Sequence, residues 1–370
     1  MLLSSGHFVN DVGQNILPTL TPILMVMFSL NNAAIGFLIG IQHIAGSILQ
    51  PFFGYIDDKY SFRLTAPIGM LITTSSISLI GIITNYNILL VIALMTGIGT
   101  ALFHPAATAH VSHIAKARRN TVISIFIQIG SIGFALGPLF TLILIFYNSL
   151  ENTTLLAIPS VILFIFMYKY LKPVKKTTST SFKSVINNLQ NKTKELSVLI
   201  PIVGLRSITY FSLLAFLPSY GMSLGMGEIF SGSLTLILGI SGVVGGLVGG
   251  YLADIKGTRV IVTATLILST PCIYLITIFN NEILWIFVIL SGMLLLTSNP
   301  IIVVMLHKTL PNNRGLASSF GQGFGWIWGA LTVPIIGIAI DLFGFNIMFQ
   351  IISIIPILSG LLIFVKLKKN

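Results

Sequence analysis

The chain has 370 residues, of which 55% are hydrophobic and only 8% are charged, so it lacks the polar surface of a water-soluble globule. Its net charge of +11 is dispersed over short polar segments rather than gathered on a basic, aromatic-rich face, which argues against nucleic acid as a partner. We therefore expect a protein whose main solvent is membrane lipid.

Apolar segments long enough to cross the bilayer as helices, which takes about 20 residues each, recur along the whole chain. The longest polar stretch, 171–197, separates an equal number of them on either side. Within it Phe182, Val185, Ile186 and Leu189 have helical spacing, which predicts either an amphipathic helix on the membrane surface or an unstructured linker. The twelve predicted spans lie near 5–28, 33–55, 66–84, 88–112, 120–146, 152–170, 198–221, 229–252, 260–279, 283–306, 315–340 and 346–366.

Positive charges mark one side of these spans. An even number of spans places both termini on the same side, and Lys366, Lys368 and Lys369 identify that side as cytoplasmic. The loops on the other side carry acids but no Lys or Arg, and Arg206 is the only Lys or Arg that lies inside a span and away from its ends. The sequence predicts a multi-pass protein of the cytoplasmic membrane with both termini in the cytoplasm.

An internal repeat relates the two groups of spans. Helices share apolar composition by chance, but Gly, Pro, Asp and Arg at one constant offset indicate duplication. We predict an all-α membrane protein with twelve transmembrane helices in two pseudo-symmetric six-helix bundles, 1–170 and 198–370, joined by a cytoplasmic linker, 171–197. A shift of 196 residues superposes Pro22 on Pro218, Gly36 on Gly232, Gly46 on Gly242, Gly54 on Gly250, Asp58 on Asp254 and Arg63 on Arg259.

Each half carries the same short motif after its second span. Glycine permits close helix contact, and a carboxylate can pair with a basic side chain or a helix N-terminus, so the motif predicts an inner gate. The alternative is that these charges only set the orientation of the chain in the membrane, but the same spacing in both halves argues against it. The motif residues are Gly54, Asp58, Lys59 and Arg63 in the first half and Gly250, Asp254, Lys256 and Arg259 in the second.

Both copies resemble the cytoplasmic Gly-x-x-x-Asp-(basic)-x-Gly-x-(basic) signature of the major facilitator superfamily of secondary transporters, although Ser61 replaces the second glycine of the first copy. The fifth span contains Gly133-x-x-x-Gly137-Pro138, which is similar to part of the glycine-proline motif of superfamily exporters. Small residues at this spacing predict tight, bendable helix packing. The resemblance implies the fold of the superfamily and transport by alternating access.

Spans 1, 4 and 7 resemble one branch of the superfamily, the fosmidomycin-resistance transporters. This resemblance implies export by proton antiport, with the His and Asp of span 1 and the His of span 4 as its polar core. Ala106 stands where the branch has an acid, which keeps proton-linked uptake of a small organic anion as the alternative. The segments that carry the resemblance are His7-Phe-Val-Asn10-Asp11, Phe103-His104-Pro105, Leu205-Arg206-Ser207 and Phe216-Leu-Pro-Ser-Tyr220.

Asp11 is the only acid deep inside a predicted span. Burial and neighbouring charges tune the pKa of such a carboxyl, so it can exchange a proton between the two access states. We predict that Asp11 is the proton-coupling residue, with His7 or His104 as relay. The alternative is a structural Asp whose charge is satisfied by Arg206 or by a helix terminus.

Arg206 keeps its proton and offers a planar fork of donors that suits a carboxylate, phosphate or phosphonate. It predicts an anionic or zwitterionic small-molecule substrate, a preference that disappears if Arg206 is the permanent partner of Asp11. His110 and His113 lack an acid or thiol to complete a metal site, so we predict no metal and no cofactor. The residues predicted to bind substrate are Asn10, Gln14, Gln42, His43, Gln128, Arg206 and Gln322.

These patterns favour a secondary active transporter, monomeric in lipid, that exports a small organic molecule in exchange for protons. The sequence has no Gly-x-x-x-x-Gly-Lys-Ser/Thr loop, so direct use of ATP is not expected. An intramembrane enzyme would need a nucleophile motif or a metal triad, and the duplicated gates would have no purpose in it. A passive channel likewise has no need of the two halves.

Overall fold

A computed structural model shows an all-helical protein, which confirms the predicted fold class. The structure describes residues 1–60, 63–114, 119–147, 149–172, 189–280, 282–311, 317 and 320–366. Among these residues, eleven helical segments are long and apolar enough to cross a membrane. The predicted amphipathic segment at 182–189 lies outside the described residues except for its last position.

Short connections join most of the helices. One 3₁₀ segment, Leu79–Ile82, follows the fifth α-helix, and another, Leu150–Leu156, precedes the eighth. A π-helical turn, Phe320–Phe324, precedes the thirteenth. In chain order the α-helices are α1 (Leu2–Gln14), α2 (Ile16–Phe28), α3 (Asn32–Ile48), α4 (Gln50–Tyr60), α5 (Thr65–Ser78), α6 (Tyr86–Ile114), α7 (Arg119–Tyr147), α8 (Ala157–Tyr170), α9 (Thr193–Ser223), α10 (Glu228–Lys256), α11 (Thr258–Ile276), α12 (Ile283–Thr309), α13 (Gly325–Phe343) and α14 (Phe345–Lys366).

The first predicted span is divided into two helices of 13 residues each, α1 and α2, which are separated at Asn15. Pro18 has no N–H to donate to the carbonyl of Gln14, four residues earlier, so the regular helical hydrogen bond is missing there. The side-chain amide of Gln42 donates to that carbonyl instead, at 2.7 Å. The break is therefore stabilised from a neighbouring helix, and it lies directly beside the polar stripe of α1.

Contacts divide the chain into two compact units. The first residues of α3 belong to the second unit, and the first residues of α10 belong to the first unit. Each unit draws most of its residues from one half of the sequence. Unit 1 comprises Met1–Leu30, Phe37–Ser179 and Gly227–Leu236, and unit 2 comprises Asn31–Gly36, Thr180–Met226 and Ile237–Asn370.

Each unit has its own apolar interior. In unit 1, α1 packs against α5, α6, α7 and α8 around buried side chains that include Leu3, Met70, Phe103, Phe126 and Met167. In unit 2, α9 packs against α12, α13 and α14. Consequently α1 and α9, the first helices of the two halves, are both largely enclosed by protein, and the polar residues on them are held away from lipid.

Candidate functional site

Three ionisable side chains of unit 1 lie together. Asp11 on α1 is 5% exposed; its Oδ2 lies 3.2 Å from Nε2 of His7, one turn earlier on the same helix. Its Oδ1 lies 3.6 Å from Nε2 of His104 on α6. The amides of Asn10 and Gln14 donate to Oδ1 at 3.0 Å and 2.7 Å. The polar stripe of α1 and the histidine of α6 thus form one buried cluster.

The hydrogen-bonding pattern assigns the protons of this cluster. Nδ1 of His7 lies 2.8 Å from the carbonyl oxygen of Phe126, which can only accept, so Nδ1 carries a hydrogen. The contact between Nε2 of His7 and Oδ2 of Asp11 then requires one further proton, shared by the pair. The Gln14 amide also lies 3.2 Å from Nε2 of His104 and donates to it, which makes this ring nitrogen a bare acceptor. The contacts of the cluster are therefore satisfied when one proton lies between His7 and Asp11.

A metal ion is a less suitable occupant for the same atoms. The ligand atoms of His7, Asp11 and His104 lie within 4.8 Å of one another, a spacing that a metal could bridge. However, the N–H groups of Gln14 point at Asp11 and His104 and occupy lone pairs that the metal would need. The hydrogen bonds of this group therefore suit a proton better than a metal ion.

Helix α7 fixes the position of His7. The Phe126 carbonyl of α7 holds Nδ1, and the Phe126 and Phe103 rings flank the imidazole with centroids 4.2 Å and 5.7 Å away. One turn later, Gly130 leaves room for the ring, because a Cβ at that position would overlap the imidazole. Sequence reasoning assigned Gly130 no role at this site, since its effect depends on a helix that is distant in the sequence.

Arg206 is the corresponding buried charge of unit 2. It lies on α9, is 3% exposed, and its Nη2 donates to Ser207 Oγ at 3.5 Å. Its Nε is buried and has no hydrogen-bond partner among the described residues. Tyr210, one turn further along α9, is close enough to interact electrostatically with the guanidinium. The i, i+4 spacing of Arg206 and Tyr210 could have indicated this pairing from the sequence.

The other residues predicted to bind substrate differ in their burial. Gln42 is buried, and its amide nitrogen is committed to the α1–α2 break. His43 is buried beside it, whereas Gln128 is exposed. The side chain of Gln322 lies outside the described part of the chain.

The predicted gate residues are described only in part. The side chains of Asp58 and Lys59 fall outside the described residues, whereas Arg63 and Arg259 each contact the last helix of their own half, through Tyr168 and Phe364. Gly54 faces Pro105, and Gly250 faces open space. Asp254 and Lys256 are exposed at the end of α10. Of the predicted packing residues, Gly133 and Gly137 lie against the backbone of α1, and Pro138 is inside α7.

A family model of the Major Facilitator Superfamily matches residues 3–332 and 202–370 of the chain. The chain belongs to this superfamily. The Fosmidomycin resistance protein of Escherichia coli is 23% identical over 98% of this chain and 91% of its own length. A solved point mutant of the nucleoside transporter NupG superposes with a TM-score of 0.80 at 15% identity and covers 99% of both chains. The solved D-xylose-proton symporter superposes with a TM-score of 0.79 at 13% identity and covers 99% of this chain and 97% of its own.

Membership of the superfamily establishes the general activity. The protein is a multi-pass membrane protein and a secondary transporter of a small molecule. The relatives and solved structures compared with it are transporters, as the resemblance predicted. The site geometry can therefore be interpreted as part of a transport cycle.

Proposed function

We propose that this transporter exports a small organic molecule across the cytoplasmic membrane in exchange for protons, with Asp11 and His7 as the coupling pair. The observation that carries the proposal is the 3.2 Å contact between Oδ2 of Asp11 and Nε2 of His7 in a buried cluster, a contact that needs a shared proton. An ionisable group inside a span is costly and usually serves transport. His104, 18% exposed in its side chain, is the proposed relay to water.

Loss of the shared proton changes the energy of this arrangement. A carboxylate oxygen would then face a bare ring nitrogen, and both atoms would present lone pairs to each other. The two side chains must then either separate or recruit another proton. Because both lie on α1 and His7 also contacts the Phe126 carbonyl of α7, a change in their protonation acts on the contact between α1 and α7. The break at Asn15, directly after Gln14, gives α1 a point at which it can move relative to α2.

The same proposal includes the membrane orientation, the gate motifs and the glycines of α7. We place both termini in the cytoplasm because Lys and Arg concentrate on that side. The repeated motifs after the second span of each half act at the inner gate, and the glycines of α7 allow α1 to pack closely. The transporter works as a monomer.

The test uses fosmidomycin, the compound in the name of the Escherichia coli relative, as the first transport probe. The protein is reconstituted in sealed vesicles with a luminal pH dye and no imposed gradient. Export coupled to proton entry predicts that substrate crossing from the cytoplasmic face moves protons the opposite way. In the Asp11→Asn variant, proton movement should fall at least 10-fold, whereas Glu282→Gln, an exposed acid, should behave as wild type.

Three results would contradict this proposal. Undiminished proton movement in Asp11→Asn would remove Asp11 as the coupling residue. Protons moving together with the substrate would reverse the coupling and establish the alternative, proton-linked uptake, which the Ala106 difference keeps open. Flux proportional to concentration without saturation would instead indicate a passive pore.

A further inference from the structure

In the part of unit 2 that the structure describes, no acidic side chain pairs with the Arg206 guanidinium. The sequence of unit 2 contains four acids, Glu195, Asp254, Glu282 and Asp341, and all of them lie toward helix ends. Glu195, on the same helix, precedes Arg206 by eleven positions, about 16 Å along the axis. A buried guanidinium without a counter-charge destabilises the folded state, so the site is suited to receive a negative charge from elsewhere.

Two of these acids are already committed. Glu195 lies 3.3 Å from Lys192, and Asp341 accepts hydrogen bonds from the N-terminus of α3. Asp11, the acid that could have served as a permanent partner, has both oxygens engaged inside unit 1. The other two, Asp254 and Glu282, are exposed at helix ends, so the described part of unit 2 offers Arg206 no counter-charge.

Two hydroxyl-bearing side chains of α9 are neighbours of the guanidinium. Ser207 follows it directly, and Tyr210 lies one turn further on α9. Helix α13 comes close at this level because Gly325 has no side chain, and a Cβ there would lie 3.1 Å from Ser207 Oγ. The rings of Phe211 and Trp326, with centroids 5.7 Å apart, bring apolar surface to the same two helices. Fixed donors beside apolar walls are typical of a site for a small organic anion.

We propose that the transported molecule carries an anionic group, a carboxylate, phosphate or phosphonate, which Arg206 binds with its planar fork while Ser207 and Tyr210 donate from α9. This inference rests on the proposed function, because it assigns the substrate class of the same carrier. The guanidinium supplies two parallel N–H donors, which match two oxygens of such a group. Unit 1 then holds the proton and unit 2 holds the anion.

The experiment measures binding by purified protein in detergent, where no gradient exists. Acetate, inorganic phosphate and methylphosphonate are titrated with calorimetry and thermal unfolding as readouts, and acetamide is the neutral match for acetate. The anions should bind and stabilise the wild type, and acetamide should not. Arg206→Gln should weaken anion binding at least 10-fold, and Arg206→Lys should fall between, because an ammonium lacks the fork. Lys308→Gln removes an exposed cation of the same unit and should bind as the wild type does.

Tyr210→Phe keeps the ring and removes only the hydroxyl, so it tests the site even if Arg206→Gln fails to fold; it should weaken anion binding several-fold. Three results would overturn the inference: the wild type, Arg206→Gln and Tyr210→Phe bind the anions equally well, acetate and acetamide have equal effects, or the wild type binds no anion. Asp11→Asn should still bind the anions. A failure of coupling at Asp11 is thereby distinguished from a failure of the anion site.

Discussion

Arg63 and Arg259 occupy equivalent positions in the two halves and make the same pair of contacts. Each guanidinium donates to a backbone carbonyl 105 residues further along the chain, that of Tyr168 in unit 1 and that of Phe364 in unit 2. Each also lies over the ring of that residue, 5.4 Å and 5.2 Å from its centroid. The acceptors are near the C-terminal ends of α8 and α14, where the helix dipole favours a cation. The repeat is thus present in the contacts as well as in the residue types.

These contacts predict a stabilising role inside each half. Arg259→Ala should lower the free energy of unfolding by about 1 kcal/mol, since a charged hydrogen bond and a cation–π contact are lost at a partly exposed site. Arg259→Lys should recover part of it. Thermal unfolding of purified protein measures both, with exposed Lys256→Ala as control. If Arg259→Ala and Lys256→Ala unfold alike, the contact with Phe364 contributes nothing.

The second prediction concerns Gly130, whose replacement should disturb the His7–Asp11 pair. In Gly130→Ala the new methyl group would overlap the imidazole of His7, which must then leave the Phe126 carbonyl. Proton-coupled transport should fall about 10-fold or more, as it does when a proton-transfer group is misplaced. Gly227→Ala, at a position with open space, is the matched control. Proton movement in vesicles that is normal in Gly130→Ala would show that the Phe126 contact does not orient the coupling residue.

The sequence predicted the elements of this fold because span length and charge placement are set by lipid, independently of tertiary contacts. The resemblance of spans 1 and 4 to one branch of the superfamily also grouped His104 with Asp11, and the two side chains lie 3.6 Å apart in the structure. It could not predict the break at Asn15, which depends on the Gln42 amide reaching a carbonyl freed by Pro18. Close approaches such as that of α7 to the imidazole likewise exist only after the helices have packed.

Asp57 predicts a pH dependence of stability. It lies beyond the spanning part of α3 and α4, is 7% exposed, and has one buried oxygen without a hydrogen-bond partner. Burial raises the pKa of this carboxyl, against smaller opposing effects of a Thr65 hydrogen bond and of His110. A raised pKa means that the folded state binds the proton more tightly, so the contribution of Asp57 to stability is greatest below its unfolded pKa. It declines as the pH rises through the higher folded pKa.

Asp57→Asn should therefore be more stable than the wild type at neutral pH, because it removes a desolvated negative charge. The free energy of unfolding should rise by an amount on the order of 1 kcal/mol, and the unfolding temperature should rise with it. The difference should shrink as the pH falls toward the ordinary value of an Asp carboxyl, where the wild type is also neutral. Unfolding curves over a pH series give the measurement, with Glu282→Gln as an exposed control. A constant difference at every pH would mean that ionisation of Asp57 is not its cause.

Asp341 predicts a local effect at the N-terminus of α3. Its Oδ1 accepts from the backbone N–H and the side-chain amide of Asn32 at 3.0 Å and 2.9 Å, and its Oδ2 accepts from the backbone N–H of Ala33 at 2.8 Å. These N–H groups have no partner within the helix, and a carboxylate there also complements the helix dipole. Loss of such a cap costs about 1 kcal/mol, which corresponds to roughly a fivefold change in local opening. Asp341→Ala should accordingly raise the hydrogen-exchange rate of the Asn32 and Ala33 amides about fivefold, while amides in the middle of α3 keep theirs. Asp341→Asn, which retains one acceptor oxygen, should give a smaller increase, and unchanged exchange in both variants would show that the carboxylate does not hold this helix end.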